Sequence, residues 1–222
     1  MLKIHQHRSA SAAVVLVLAG LLIWPAASVA QLGGLLPPPP PPPTTTTSST
    51  VLGSASAVQA TVLGILGTGT TTVLADTGTL GGTNDSRDAS MDTGSIPSTL
   101  NAETLSTDTI SWVDEVDSEA SVTNLNMTVA GLGITADSVM AQASQVLGAA
   151  GSGSSTLSNL AINGTPIAVT GDPNQTIWVP GGQVIINEQT ISPTGAAVVN
   201  ALHVAITGVA DVVIASATAG IS

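Results

Sequence analysis

Residues 124–143 read NLNMTVAGLGITADSVMAQA, and residues 200–217 read NALHVAITGVADVVIASA. Each stretch has apolar side chains at alternate positions, then a glycine, an Ala-Asp pair and a second alternating run with small residues on one face. A period of two places alternate side chains on opposite faces of a β-strand, so each stretch predicts a hairpin with one buried face. A repeated hairpin indicates either two facing sheets or a short β-solenoid. Because the copies differ in length after the glycine, we expect the facing sheets.

The alternation extends on both sides of these hairpins, with Gly-rich turns between the segments. The strongest single turn signal is Asn163-Gly164, a pair that suits a two-residue β-hairpin. The sequence therefore predicts an all-β domain over residues 54–222, an antiparallel β-sandwich-like fold with a short β-solenoid as the alternative. Residues 76–104 are rich in Gly, Thr, Asp and Ser and show little periodicity, which predicts a mobile surface insertion.

Residues 1–30 have the order of segments typical of a secretory signal peptide. Basic side chains precede an apolar run at 12–24, and small side chains follow at 28 and 30. This order predicts export by the secretion machinery and cleavage by a signal peptidase between Ala30 and Gln31. The alternative is retention as a membrane-spanning helix. Such a helix needs about 20 apolar residues, and the run at 12–24 is shorter, so we expect cleavage rather than retention. We therefore expect no transmembrane segment in the mature chain.

A proline- and threonine-rich linker occupies residues 31–53. Seven consecutive prolines at 37–43 are followed by a Thr/Ser run at 44–50. Consecutive prolines adopt a polyproline II rod, which at about 3.1 Å per residue is roughly 22 Å long here. We interpret the segment as a stalk for the folded domain, and a disordered tail without a task is the alternative.

The charge and cysteine content of the mature chain restrict its partners and its compartment. After residue 30 a single basic residue, Arg87, stands against all fourteen Asp and Glu, a net charge of −13. Such a chain repels phosphate backbones and anionic headgroups, so we expect no nucleic-acid partner. The absence of cysteine means that packing alone stabilises the exported domain.

The mature chain is poor in catalytic side chains. It has neither Lys nor Cys, and His203 is its only histidine. His203 stands in an alternating run on the face opposite Leu202 and Val204, so we expect a solvent-facing strand histidine rather than a member of a Ser-His-Asp triad. No G-x-S-x-G elbow is present. The sequence thus predicts no enzyme and no cofactor.

One acidic cluster leaves alternatives open. Its carboxylates are Asp114, Glu115, Asp117 and Glu119. In an extended chain the last three point the same way, about 6.7 Å apart. A solvated acidic strand or loop is the simplest interpretation. Oxygen ligands of this kind also suit Ca²⁺, and paired carboxylates at such spacings perform glycoside hydrolysis in secreted hydrolases.

A second group of residues suggests a binding face. Trp178 and the polar run of Asn187, Glu188 and Gln189 lie near each other in sequence, in and after a short strand between two prolines. Packing at strand ends explains these residues equally well. A ligand for such a face would be cell-wall or matrix polysaccharide or another surface protein.

Several segments of the C-terminal part resemble the bacterial choice-of-anchor P family. The residues that carry the resemblance are TGDPNQTIWVPGG at 170–182, VIINEQ at 184–189, VNALHV at 199–204 and DVVIAS at 211–216. The resemblance implies an exported bacterial surface protein whose relatives carry varied C-terminal sorting signals, and it implies no known activity. Residues 219–222 contain no such signal, so we expect release or non-covalent association as readily as anchoring.

These observations together predict an exported, non-enzymatic cell-surface or extracellular structural or interaction protein. A secreted hydrolase that uses the cluster at 114–119 and a calcium-stabilised structural module are the alternatives.

Overall fold

The computed structural model describes residues 49–63 and 69–222, which form β-strands and no helix. The strands in chain order are β1 Val51–Leu63, β2 Gly69–Asp76, β3 Ser86–Ile96, β4 Leu100–Ser111, β5 Glu115–Val129, β6 Leu132–Val146, β7 Ser152–Ser158, β8 Ala161–Ile162, β9 Thr165–Pro166, β10 Gln175–Val179, β11 Gly182–Ile191, β12 Ala197–Ile206 and β13 Ala210–Ile221. The predicted signal peptide and most of the predicted linker lie outside the described residues, so cleavage between Ala30 and Gln31 stays a prediction. Within the described residues, no helix has the length and apolar composition that a bilayer crossing requires.

The strands form two antiparallel sheets that pack face to face. Sheet 1 has six strands in the order β10-β11-β12-β13-β1-β2. Sheet 2 has seven strands in the order β3-β4-β5-β6-β8-β9, and β7 also pairs with β6. The first strand of the chain thus lies beside the last, which joins the two ends of the domain within one sheet. The predicted all-β, sandwich-like fold is confirmed.

The two similar hairpins occupy facing positions. Residues 124–143 lie in β5 and β6 of sheet 2, and residues 200–217 lie in β12 and β13 of sheet 1. Strand β13 packs against both β5 and β6. The apolar side chains that define the repeat, such as Met127 and Val204, point into the shared core and are buried. The repeat therefore marks the central hairpin of each sheet.

The turn predicted at Asn163-Gly164 joins β8 to β9. Both residues have positive φ, 49° and 74°, as a type I′ turn requires. The Asn163 side chain also accepts a hydrogen bond of 2.8 Å from the Gly133 N–H, which ties the turn to the start of β6.

The core between the sheets is aliphatic, because the chain contains no Phe or Tyr. Its largest fully buried apolar side chains include Leu100, Leu105, Met127, Ile186 and Leu202. Each such side chain stabilises the fold by about 1.5–3 kcal/mol when buried. Many alanines fill the remaining inward positions, and small side chains let the sheets approach closely.

The prediction of an insertion over residues 76–104 is wrong as a description of secondary structure. This range contains all of β3 and the beginning of β4, so most of it belongs to sheet 2. Strand β3 is the edge strand of that sheet, and most of its side chains are exposed on both faces. Because both faces of this edge strand are exposed to solvent, its sequence does not alternate between apolar and polar residues and resembles that of a loop. The domain also begins slightly earlier than predicted, with β1 at Val51.

Candidate functional site

The acidic cluster lies partly in β5 and partly in the turn before it. Asp114 belongs to that turn, whereas Glu115, Asp117 and Glu119 belong to β5. The residues between the last three are buried, so these three carboxylates share the outer face of sheet 2. The common direction predicted for Glu115, Asp117 and Glu119 is therefore correct.

Only Asp117 and Glu119 reach a groove. This groove, of about 590 Å³, runs over the outer face of sheet 2. Asp108 of β4 stands directly opposite Glu119, and Gln142 of β6 stands opposite it on the other side. Gln142 Nε2 donates a hydrogen bond of 2.7 Å to Glu119 Oε2. Hydroxyl groups complete the groove, those of Ser144, Ser152 and Ser154.

The carboxylates of this groove face one another, and no basic side chain of the described residues forms a salt bridge with them. Asp88, Asp108 and Glu119 occupy one row across three neighbouring strands. Arg87, the one basic residue after the predicted cleavage site, pairs instead with Asp85 at 3.3 Å. Like charges directly opposite each other on a sheet are destabilising. Among the described residues, no group of three or more His, Asp or Glu side chains is arranged to hold a metal ion. The calcium hypothesis stays a prediction.

The residues proposed as one binding face do not form one. Asn187 is buried, and its Nδ2 donates a hydrogen bond of 2.9 Å to Gly171 O. Gln189 Nε2 donates to Gly153 O at 3.0 Å and to Asn187 Oδ1 at 2.8 Å. These two amides thus hold the loop before β10 and strand β7 against β11. Their role is structural, as the alternative of strand-end packing proposed.

Glu188 points to the outer face of sheet 1, where it meets His203. Glu188 Oε2 lies 2.9 Å from His203 Nδ1, and Asp211 Oδ2 lies 3.1 Å from His203 Nε2. Asn200 Nδ2 donates a further bond of 2.7 Å to Glu188. His203 is therefore on the outer face, as predicted. Its side chain is only 17% exposed, because carboxylates from both neighbouring strands enclose it.

The surroundings of His203 act on its pKa in opposite directions. Partial burial lowers the pKa, since it removes water from the imidazolium ion. Hydrogen bonds and negative charge from Asp211 and Glu188 oppose this effect and together outweigh it, so the pKa is raised above its ordinary value of 6.5. The imidazolium form in turn orients the Asp211 carboxylate, whose side chain is 60% exposed.

Trp178 is the most exposed large apolar side chain among the described residues, at 79%. It belongs to the edge strand β10, where its neighbours Ile177 and Val179 pack against the core. Alternation therefore places the indole on the outer face of sheet 1. Antiparallel pairing to Gln183 fixes the backbone at this position.

A line of side chains runs from Trp178 across sheet 1, and we call it the tryptophan row. Direct cross-strand pairs connect its members, which are Trp178, Gln183, Ala205, Asp211 and Thr61. A pocket of about 260 Å³ adjoins the row, with Ala205, Asp211 and Thr61 in its wall. The row thus combines one aromatic surface, a shallow space above an alanine and several hydrogen-bonding groups.

Sequence reasoning identified Trp178 but not the partners it has in this row. Their positions are set by strand order and register, which a local pattern does not contain. The one available signal was the small residue Ala205, which follows His203 on the outward face of β12.

Comparisons of the chain with protein families, curated proteins and solved structures find no match. The resemblance to the choice-of-anchor P family therefore stays a prediction.

Proposed function

We propose that this protein is exported and acts without catalysis, as a cell-surface or extracellular structural and interaction protein. The segment order of residues 1–30 supports export, with cleavage between Ala30 and Gln31. The net charge of −13 after that position disfavours nucleic acid and anionic lipid as partners. Cell-wall or matrix polysaccharide and other surface proteins are the partner classes that fit.

One geometric observation carries the proposal. Thr50 and Ser222 exchange two backbone hydrogen bonds, of 2.7 and 3.0 Å, at one end of sheet 1. The tryptophan row crosses the opposite end of the same sheet, where Thr61 is its member in β1. Thr61 follows Thr50 by eleven steps along an extended strand, a distance of about 35 Å. A domain that is attached through the residues before Thr50 therefore presents the row at its far end.

The proline- and threonine-rich residues 31–48 suit the role of a spacer in this arrangement. A polyproline segment is stiffer than a flexible linker, so it holds a domain away from the surface that carries it. In this proposal the signal peptide directs export, the proline-rich segment holds the domain away from the surface, and the β-sandwich contacts the partner.

Cell fractionation tests the proposal. Ala30→Leu places a large side chain at the residue before the predicted cleavage, so the uncleaved precursor should accumulate. Val29→Leu changes the neighbouring position, where side-chain size matters less, and serves as the matched control. N-terminal sequencing should give Gln31 for the wild type, and protease added to intact cells should degrade it. A wild-type protein that keeps residues 1–30 and resists the protease contradicts the proposal.

A secreted hydrolase is the second candidate function. The observation in its favour is that Asp108 joins Asp117 and Glu119 in the groove of sheet 2. Most glycoside hydrolases use two carboxyl groups on either side of the glycosidic bond. Release of reducing ends from polysaccharides that is abolished by Glu119→Gln and by Asp108→Asn would establish this candidate. We expect no such release.

A further inference from the structure

We propose that the tryptophan row binds a neutral polysaccharide, with Trp178 as the stacking platform. This inference rests on the proposed function and assigns a partner class to one surface of the domain. Four features of the row support it, which are the exposed indole, the polar side chains in line with it, the fixed positions of the Trp178 backbone and the Asp211 carboxylate, and the charge of the chain.

The first feature is the indole itself. Trp178 is 79% exposed, although its strand neighbours pack against the core. Exposing so large an apolar surface carries a cost in solvation, and tryptophan at a contact surface offers a large area with few rotatable bonds. The ring of a neutral sugar has an apolar face of C–H groups, which matches the flat face of an indole.

The second feature is the chemistry of the remaining row. Next to Trp178 come an amide, a methyl group, a carboxylate and a hydroxyl, those of Gln183, Ala205, Asp211 and Thr61. Hydroxyl-rich ligands need acceptors and donors of this kind, and a carboxylate forms the stronger, charge-assisted bonds. The row extends over four inter-strand spacings of about 4.8 Å, or about 19 Å. That length suits several units of an extended polymer.

The third feature is preorganisation. Trp178 stands on a strand that pairs with β11 over all five of its residues, between Pro173 and Pro180. His203 Nε2 holds Asp211 at 3.1 Å, and Glu188 holds His203 from the other side. Groups that are already fixed lose less conformational entropy when a ligand binds. His203 is thus a positioning residue for Asp211.

The fourth feature is the charge, which decides between neutral and polyanionic glycans. The mature chain carries fourteen acidic residues and one basic residue. Asp211 is part of the row, and Glu188 lies on the other side of His203 from Asp211. A polyanionic glycan therefore meets repulsion at the site as well as at long range. A neutral polymer avoids both effects.

Sedimentation with insoluble polysaccharides tests the inference on the full secreted protein. The neutral probes are cellulose, chitin and curdlan, and cross-linked carboxymethyl cellulose, which is insoluble and ionised at neutral pH, is the polyanionic probe. We expect retention on at least one neutral probe and none on carboxymethyl cellulose. Trp178→Ala should weaken the retention about tenfold or more, as the loss of an aromatic contact predicts.

The matched control is Trp112→Ala, because Trp112 is 40% exposed but lies in the turn between β4 and β5 of sheet 2, away from the tryptophan row. This variant should bind like the wild type. Asp211→Asn should weaken binding less than Trp178→Ala does. Because His203 positions Asp211, we expect binding by the wild type to depend on pH, and His203→Gln should flatten that dependence. Equal urea midpoints for the wild type and the Trp178 variant would exclude unfolding as the cause of the loss.

Four outcomes overturn the inference. Three of them are background retention on all three neutral probes, equal loss in both tryptophan variants, and retention that Trp178→Ala leaves unchanged. A fourth is self-association of the wild type that Trp178→Ala abolishes without glycan binding, which would assign the row to a second copy of the chain. None of these outcomes touches the export test above, so failure of the inference and failure of the proposed function remain distinguishable.

Discussion

Gln145 Oε1 accepts a hydrogen bond of 2.9 Å from the backbone N–H of Ile221, so a side chain of sheet 2 holds the last strand of sheet 1. The amide nitrogen of Gln145 donates to Ala149 O at 2.9 Å and to Thr194 O at 3.3 Å. Gln145 is 2% exposed and sits on the inward face of β6. Its side chain therefore joins three separate segments of the backbone at the end of the sandwich where the chain enters.

Replacing this side chain should destabilise the domain strongly. Gln145→Leu keeps the volume but leaves the Ile221 N–H without an acceptor, and an unsatisfied buried group costs about 1–3 kcal/mol. With the two further bonds lost, we expect the free energy of unfolding to fall by about 2–3 kcal/mol in urea titrations. Gln142→Leu on the outer face of the same strand is the control and should change it by less than about 0.5 kcal/mol. Equal effects of the two variants would contradict the role assigned to Gln145.

The elements that the sequence predicts well are strands with one buried face and one solvent-exposed face. The hairpins at 124–143 and 200–217 alternate because their strands lie in the middle of a sheet, and their similarity correctly indicates facing positions. Strand β3 escaped prediction because both of its faces are exposed. The alternation of β6 does place residue 145 on the buried face, but a pattern contains no information about which backbone groups meet it there.

The candidate site was less predictable than the fold for a related reason. The sequence groups residues that are near one another in the chain, such as Trp178 of β10 and the run at 187–189 of β11. The structure groups residues by register across strands, so Trp178 stands opposite Gln183, Asp211 lies further along the same row, and His203 meets Glu188. Such pairs depend on strand order, which the sequence leaves open.

Close packing between the sheets predicts a steric effect at Gly153. A Cβ at this position meets the side chain of Val199 in β12 and the carbonyl oxygen of Gln142. Gly153 has no positive φ, so the effect of an added methyl group is steric alone. Gly153→Ala should lower the free energy of unfolding by about 1–3 kcal/mol, the range of overpacked cores.

A double variant separates this effect from a general loss of stability. In a Val199→Ala background the larger of the two clashes is absent, so Gly153→Ala should cost no more than about half as much as it does in the wild type. Gly133→Ala is the control, because its Cβ meets only Asn163 Oδ1, at 3.6 Å. Additive effects of the two substitutions would argue against close approach of β7 and β12.

The enclosure of His203 by two carboxylates predicts a pH dependence of stability. Its pKa is raised in the folded state, so the folded protein binds the proton more tightly than the unfolded chain does. The contribution is fully present below the ordinary value of 6.5 and is lost as the pH rises through the folded pKa. Urea titrations from mildly acidic to mildly alkaline pH should show the stability difference between the wild type and His203→Gln shrinking as the pH rises.

Glu188 and Asp211 are the charged groups that face this imidazole from its two neighbouring strands. Glu188→Gln removes one of them, so the slope should become smaller without vanishing. A difference that grows with pH would show that burial outweighs the carboxylates in setting the pKa.

The row of carboxylates on sheet 2 predicts a stabilising substitution. Asp108 lies directly between Asp88 and Glu119, and all three point to the outer face. Asp108→Asn removes like-charge repulsion on both sides, so we expect an increase of about 0.2–1 kcal/mol in the free energy of unfolding. The gain should diminish at high salt, because ions screen exposed charges. Asp172→Asn changes the net charge equally in an exposed loop and should give no such gain.

The same pair of variants tests the calcium-stabilised module. A bound ion stabilises the folded state by mass action, so calcium would raise the unfolding midpoint of the wild type, and a chelator would lower it. Repulsion alone predicts that a chelator has no effect and that Asp108→Asn is stabilising under either condition. If calcium instead raises the midpoint of the wild type and of Asp172→Asn but not that of Asp108→Asn, the groove holds the ion. The repulsion among these carboxylates would then be that of a cation site from which the ion is missing.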